Sequence, residues 1–203
     1  MGRQVDSWVD LNPNIRTRVG VKDIDNNVVD NIGVIPDAVK PYVSVDVKGD
    51  GIYRQVTLTL AALPQTIANG ASEWVGTKLY TFPEGRMLVL GATASLAPTT
   101  TSVLADTITT GTTGTFGLGS VTNDGTHTGT KVDLLPDGNF TSSTTINVAA
   151  AAVNKALAAA AQFDGTTAPL AAFFNTKCAT NTADGTLTWA GTIKFTFVQL
   201  GDY

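Results

Sequence analysis

His127 and Cys178 are the only histidine and the only cysteine in 203 residues, so the side chains best suited to proton transfer and nucleophilic attack near neutral pH occur once each. A hydrolase or transferase of the common kinds needs a nucleophile activated by a base, or two carboxylates in one pocket. His127 stands in Asn123-Asp124-Gly125-Thr126-His127-Thr128-Gly129, a turn-rich run that reads as an exposed structural loop rather than the seat of a general base. Cys178 comes shortly after Phe173-Phe174, the setting of a buried small hydrophobe rather than of a thiolate. The nearest grouping with enzymatic chemistry is Asp124, His127, Asp133 and Asp137, which a carbohydrate-active β-sandwich could use. Such sites set aromatic platforms beside paired carboxylates, and Phe140 is the only aromatic near this cluster in sequence. The chain is therefore read as a non-enzyme with no catalytic residue.

Metal and cofactor chemistry fares no better. Asp-Gly pairs occur at Asp50-Gly51, Asp124-Gly125, Asp137-Gly138, Asp164-Gly165 and Asp184-Gly185, and tight turns account for all five, because Asp bonds its own backbone and Gly accepts positive φ. A calcium loop would be best served by Asp46 and Asp50, but Lys48 stands where a third oxygen ligand is wanted and no Glu follows at EF-hand spacing. Residues 111–119 are glycine-rich without the Gly-Lys-Ser/Thr ending of a phosphate loop. One cysteine forms no internal disulfide and no four-cysteine zinc site. No metal and no cofactor are expected.

A net charge of −4 and a pI near 4.8, with no Lys/Arg cluster, leave no basic field for a polyanion, so no direct nucleic-acid binding is expected. The apolar runs 87–90 and 149–161 are too short or too weakly hydrophobic to cross a bilayer core of about 30 Å. Arg3, Asp6 and Asp10 interrupt what would be a secretory signal. No membrane association is expected, with synthesis in a host cytoplasm.

The elements that must position any site read as strands. Thr makes up about one residue in six and Gly is abundant, a bias that suits solvated strand faces and tight turns. Val56, Leu58 and Leu60 alternate with Gln55, Thr57 and Thr59 in a half-buried strand that should stop near Pro64. Residues 78–82 and 86–96, joined at Pro83-Glu84-Gly85, read as a hairpin whose second strand is buried on both faces. Further strands are expected at 102–108, 115–121, 131–135, 144–148, 171–175 and 187–198. Residues 109–129 read as a projecting loop around one central strand. The alanine-rich stretch 149–162, with Val153 and Leu157 four residues apart, predicts a short helix. Trp189 reads as core. Eight or nine short strands point to a jelly-roll-like β-sandwich over residues 53–203.

Residues 1–52 differ in kind. About half of the charged side chains fall in about the first quarter of the chain, along with Pro13, Pro36 and Pro41. This segment reads as an extended N-terminal arm, or as a small subdomain. Trp8, Leu11, Ile15, Val28, Val29, Ile32 and Ile35 are its candidate contacts with a capsid or a neighbouring subunit.

The closing strand, Gly191-Thr192-Ile193-Lys194-Phe195-Thr196-Phe197-Val198-Gln199-Leu200-Gly201-Asp202-Tyr203, carries a resemblance. With Gly76-Thr77-Lys78-Leu79-Tyr80-Thr81-Phe82-Pro83-Glu84-Gly85-Arg86 and the run 87–96, it resembles a family of tailed-bacteriophage structural proteins that decorate or cement the head shell. The likeness spans roughly residues 55–203. It implies a virion protein on the capsid exterior, bound to the major capsid protein and self-associated as a homotrimer. A tail or fibre module that recognises a host surface through Thr/Gly loops is the second reading, and the carbohydrate-active sandwich the third.

Overall fold

Period-two alternation of apolar and hydroxylated side chains gives each strand one face to bury, and two sheets meet on those faces. The computed structural model describes residues 21–22, 28–29, 33–49, 53–68, 70–100, 113–141, 153–156, 161–181 and 184–201. Its strands are β1 (Val21–Lys22), β2 (Val28–Val29), β3 (Val43–Lys48), β4 (Tyr53–Ile67), β5 (Gly70–Thr81), β6 (Gly85–Thr100), β7 (Thr113–Gly119), β8 (Leu135–Thr141), β9 (Val153–Ala156), β10 (Ala161–Gly165), β11 (Ala171–Asn181) and β12 (Gly185–Gly201). One sheet runs β10-β6-β12-β4-β3, with β9 also paired to β6; the other runs β5-β11-β7-β8; among the described residues β1 and β2 pair with each other alone. All pairings are antiparallel. The chain is an all-β sandwich.

The sheets meet through aromatic side chains. Trp189 of β12 packs edge-on against Phe174 of β11 and Phe140 of β8, with centroids 4.9 and 5.0 Å apart, and at a tilt against Phe116 of β7 at 5.5 Å. Toward the other end, Phe82 packs on Tyr80, Phe195 and Phe197 at 5.1 to 5.3 Å. Such edge-to-face pairs add to the free energy of burial itself.

A bulge keeps one face of β4 inward along its whole length. Val56, Leu58 and Leu60 are buried, then Leu63, Gln65 and Ile67, because the register with β12 shifts between Trp189↔Leu63 and Gly191↔Leu60 and Ala62 takes φ +58°. The change of parity resets which side chains face the core. The strand therefore continues past Pro64 instead of stopping there. Pro64 pairs with Thr188 on one side, and β3 on the other side reaches only to Leu60, so the missing N–H breaks no ladder bond.

Several sequence expectations are corrected. β5 and β6 are not a hairpin: they belong to different sheets, and Phe82 between them turns into the core while its N–H donates to the Leu170 carbonyl at 2.8 Å. β6 is not buried on both faces, since Met87 and Val89 are buried while Leu90 is exposed. Where described, the alanine-rich stretch is strand, β9 pairing with Thr93 to Leu96 and β10 with Gly85 to Val89, so sheet pairing overrides local helix propensity. Residues 131–135 are not a strand: they hold the last residue of a 3-10 turn, Gly129–Lys131, and the first of β8. Of the Asp-Gly pairs, Asp124-Gly125 lies in a bend, Gly125 at φ +113°; Asp164-Gly165 closes β10 with Asp164 accepting the Thr166 N–H at 3.1 Å, as in a turn; Asp137-Gly138 lies inside β8, and Gly185 opens β12. Asp50-Gly51 and the expected strands at 102–108 and 144–148 lie outside the described residues.

Residues 33–48, read from sequence within the arm, lie against the sandwich. β3 is the edge strand beside β4, Val34 bridges to Thr81, and Ile35, Val39 and Val43 join the core. Val28 and Val29 form β2. Trp8, Leu11, Ile15 and Ile32 lie outside the described residues.

Candidate functional site

Strand register assembles a cleft on the outer face of the four-stranded sheet. Lys177 of β11 pairs with Trp74 of β5 on one side and with Thr115 of β7 on the other, and Thr115 pairs with Asn139 of β8. Residues opposite one another in adjacent strands share a face, so one row crosses all four strands. Asp137, two residues before Asn139, projects from the same face. His127 descends onto this row from the connection between β7 and β8. Together Trp74, Thr115, Gly125, Thr126, His127, Thr128, Asp137 and Lys177 line a cleft of about 580 Å³.

A buried amide fixes the His127 connection. Asn175, on the outer face of β11, is wholly buried because the connection covers it. Its Nδ2 donates to the carbonyls of Val121 at 2.9 Å and Lys131 at 2.8 Å, and its Oδ1 accepts the Asn123 N–H at 3.0 Å. Asp133 accepts from both the N–H and the hydroxyl of Ser120 at 2.7 Å, closing the base of the loop. Lys131 pairs with Asp124 and donates to Thr126 Oγ1, which holds the Asp124 carboxyl below its usual range.

His127 is 6% exposed, which overturns its reading as an exposed loop residue. Its Nδ1 lies 2.9 Å from Thr115 Oγ1 and 3.9 Å from Asp137 Oδ2. Its ring meets Trp74 edge-on at 6.1 Å. Nε2 is buried without a hydrogen-bond partner. Burial pushes the imidazole pKa down; Asp137, and more weakly the Asn175 backbone, which lies outside hydrogen-bond geometry, pull the other way. The balance favours the neutral ring. The Lys177 ammonium sits 4.5 Å from the Trp74 ring centroid, a cation–π contact.

Of the sequence cluster, only His127 and Asp137 come together in the cleft. Asp133 is consumed in the Ser120 tie and Asp124 in the Lys131 pair. Trp74, Thr115 and Lys177 were missed, because they join the site only through the β5-β11-β7 register. Cys178 is buried as expected, one residue from Lys177 but on the opposite face, and burial pushes its thiol up to about 11. Among the described residues, no three His, Cys, Asp or Glu side chains converge as a metal site requires, and no helix is long and apolar enough to cross a membrane.

The arrangement presents an indole, a carboxylate, an ammonium and hydroxyls in one rigid recess, the equipment of a binding site on a β-sandwich. No family model, curated protein or solved structure matches the chain.

Proposed function

We propose that this protein is a virion structural protein that decorates or cements a phage head by binding the major capsid lattice. The observation that supports the reading most is the pairing of two of the three segments that carry the resemblance. The run 87–96 and the closing strand lie a hundred residues apart in sequence and are neighbours in the six-stranded sheet, with Ile193 opposite Ala94 and Phe195 opposite Ala92. The third segment, Gly76 to Arg86, runs along β5 of the facing sheet and crosses into β6, so the resemblance involves both sheets of the sandwich. A rigid sandwich with an N-terminal segment rich in charge and apolar anchors suits a subunit that bridges a lattice seam, where several weak contacts act together. Tyr42, Val45 and Tyr53 are exposed on or beside the β3 edge strand. Binding only the assembled shell stabilises the shell by mass action. Self-association as a trimer follows from the same resemblance.

The test uses heads lacking the protein. Added protein should co-sediment with them and raise their resistance to heat, and native mass spectrometry of the free protein should give a trimer. Removing residues 1–32 keeps Ile35, Val39, Val43 and β3 in place and should weaken attachment while leaving the sandwich folded. Absence of binding by the full chain would sink the decoration reading; full binding by the truncated chain would assign attachment to the sandwich.

A further inference from the structure

We infer that the cleft formed by Trp74, His127, Asp137 and Lys177 is a binding subsite for one or two rings of a neutral saccharide. The inference stands apart from head decoration, since it uses only the outer face of the four-stranded sheet.

Rigidity comes first. The loop carrying His127 is tied to β11 by three hydrogen bonds to the Asn175 side chain and closed by Asp133 on Ser120. The recess exists before any ligand arrives, which lowers the cost of ordering on binding.

Charge comes second. The cleft lining carries one carboxylate, Asp137, and one ammonium, Lys177, with burial favouring the neutral form of the imidazole. An anion meets Asp137 and a cation meets Lys177, so neither is favoured by the field. A wholly apolar ligand would strip water from both charged groups without replacing those hydrogen bonds. A ligand that offers donors and acceptors without net charge fits the lining.

Chemistry and size narrow the class. A pyranose has a C–H face that packs on an aromatic ring and a rim of hydroxyls that both donate and accept. The Asp137 side chain is 42% exposed and can accept from two adjacent hydroxyls, while the Lys177 ammonium, over one face of the Trp74 ring, can donate to hydroxyls there. A cleft of about 580 Å³ is far larger than an ion needs and matches a ligand of one or two rings.

The experiment exposes the full-length protein to a printed array of neutral mono- to tetrasaccharides and sulfated glycans. Array hits and inorganic phosphate are then titrated by calorimetry. Binding of at least one neutral glycan is expected, weakened about 10-fold or more by both Trp74→Ala and Asp137→Asn and unchanged by Lys194→Ala on the opposite sheet. Asp137→Asn alters a partly exposed carboxylate and keeps the test open should Trp74→Ala fail to fold. No neutral glycan bound in the low millimolar range, a preference for phosphate or sulfated glycans, or binding that survives Asp137→Asn would each overturn the inference. Head attachment of Asp137→Asn should equal that of the unaltered protein, so failure here is told apart from failure of the decoration reading.

Discussion

The Gln65 side-chain oxygen accepts the indole N–H of Trp189 at 2.9 Å, inside the core between the two sheets. The same Oε1 accepts the Thr176 hydroxyl at 2.7 Å, and Nε2 donates to the Phe174 carbonyl and to Thr77 Oγ1, both at 3.1 Å. Two acceptor positions and two donors are all used, so this buried amide carries no unsatisfied atom. It joins β4 and β12 of one sheet to β5 and β11 of the other.

Gln65→Leu therefore leaves the Trp189 N–H and the Phe174 carbonyl without their partner in a dry core. A loss of about 2–4 kcal/mol is expected, read as a lower urea midpoint at unchanged slope. Gln65→Glu keeps an acceptor for Trp189 but sets a carboxyl oxygen against the Phe174 carbonyl. Its destabilisation should ease as pH falls and the carboxyl protonates.

His127 makes stability depend on pH with a definite sign. Its folded-state pKa lies below the ordinary histidine value of 6.5, so below about pH 6.5 the unfolded chain binds a proton that the folded chain resists. Stability contributed by the neutral ring is complete above that value and falls as pH drops through it, levelling only once the folded ring also protonates. Urea denaturation from pH 7.5 to 5 should show this decline in the unaltered protein and a flatter profile in His127→Gln. Equal slopes in both would remove His127 as the cause.

How much of this was readable from sequence depended on whether the signal was local. Ile193, Phe195 and Phe197 declared an inward face by alternation alone, and all three are buried. Phe82 did not declare its role, because a Pro-Glu-Gly turn looks the same whether the strands beside it pair or part to different sheets. The alanines near β9 and β10 carry helix propensity of a few tenths of a kcal/mol each, which pairing with β6 outweighs. His127 looked exposed because turn residues surround it, and its burial is set by Asn175, nearly fifty residues away. Trp74 and Lys177 lie a hundred residues apart and meet only by strand register.

Cys178 offers a direct probe of core integrity. The thiol is 1% exposed and burial pushes its pKa up to about 11, so at pH 8 the folded protein holds almost no thiolate and shields what it holds. A disulfide reagent such as dithiobis-nitrobenzoate should react negligibly in buffer and with one equivalent per chain in denaturant. Fast stoichiometric reaction without denaturant would contradict the burial of β11.

Gly191 sits at the register shift with β12 that keeps β4 facing the core, and its conformation admits no side chain without cost. It has φ +133°, and a Cβ there would overlap the Ser95 carbonyl oxygen of the adjacent β6. Ser95 belongs to a central strand paired with both β12 and β9, so it cannot retreat without opening one ladder. Gly191→Ala should combine backbone strain with that clash. Gly125 separates the two effects: it lies at φ +113° with open space around the Cβ position, so Gly125→Ala meets strain alone, about 1–3 kcal/mol. Denaturation midpoints of the two variants, measured side by side, should place Gly191→Ala well below Gly125→Ala. Equal losses would mean that β6 yields at Ser95 and that the bulge, rather than the close approach of strands, sets the requirement for glycine.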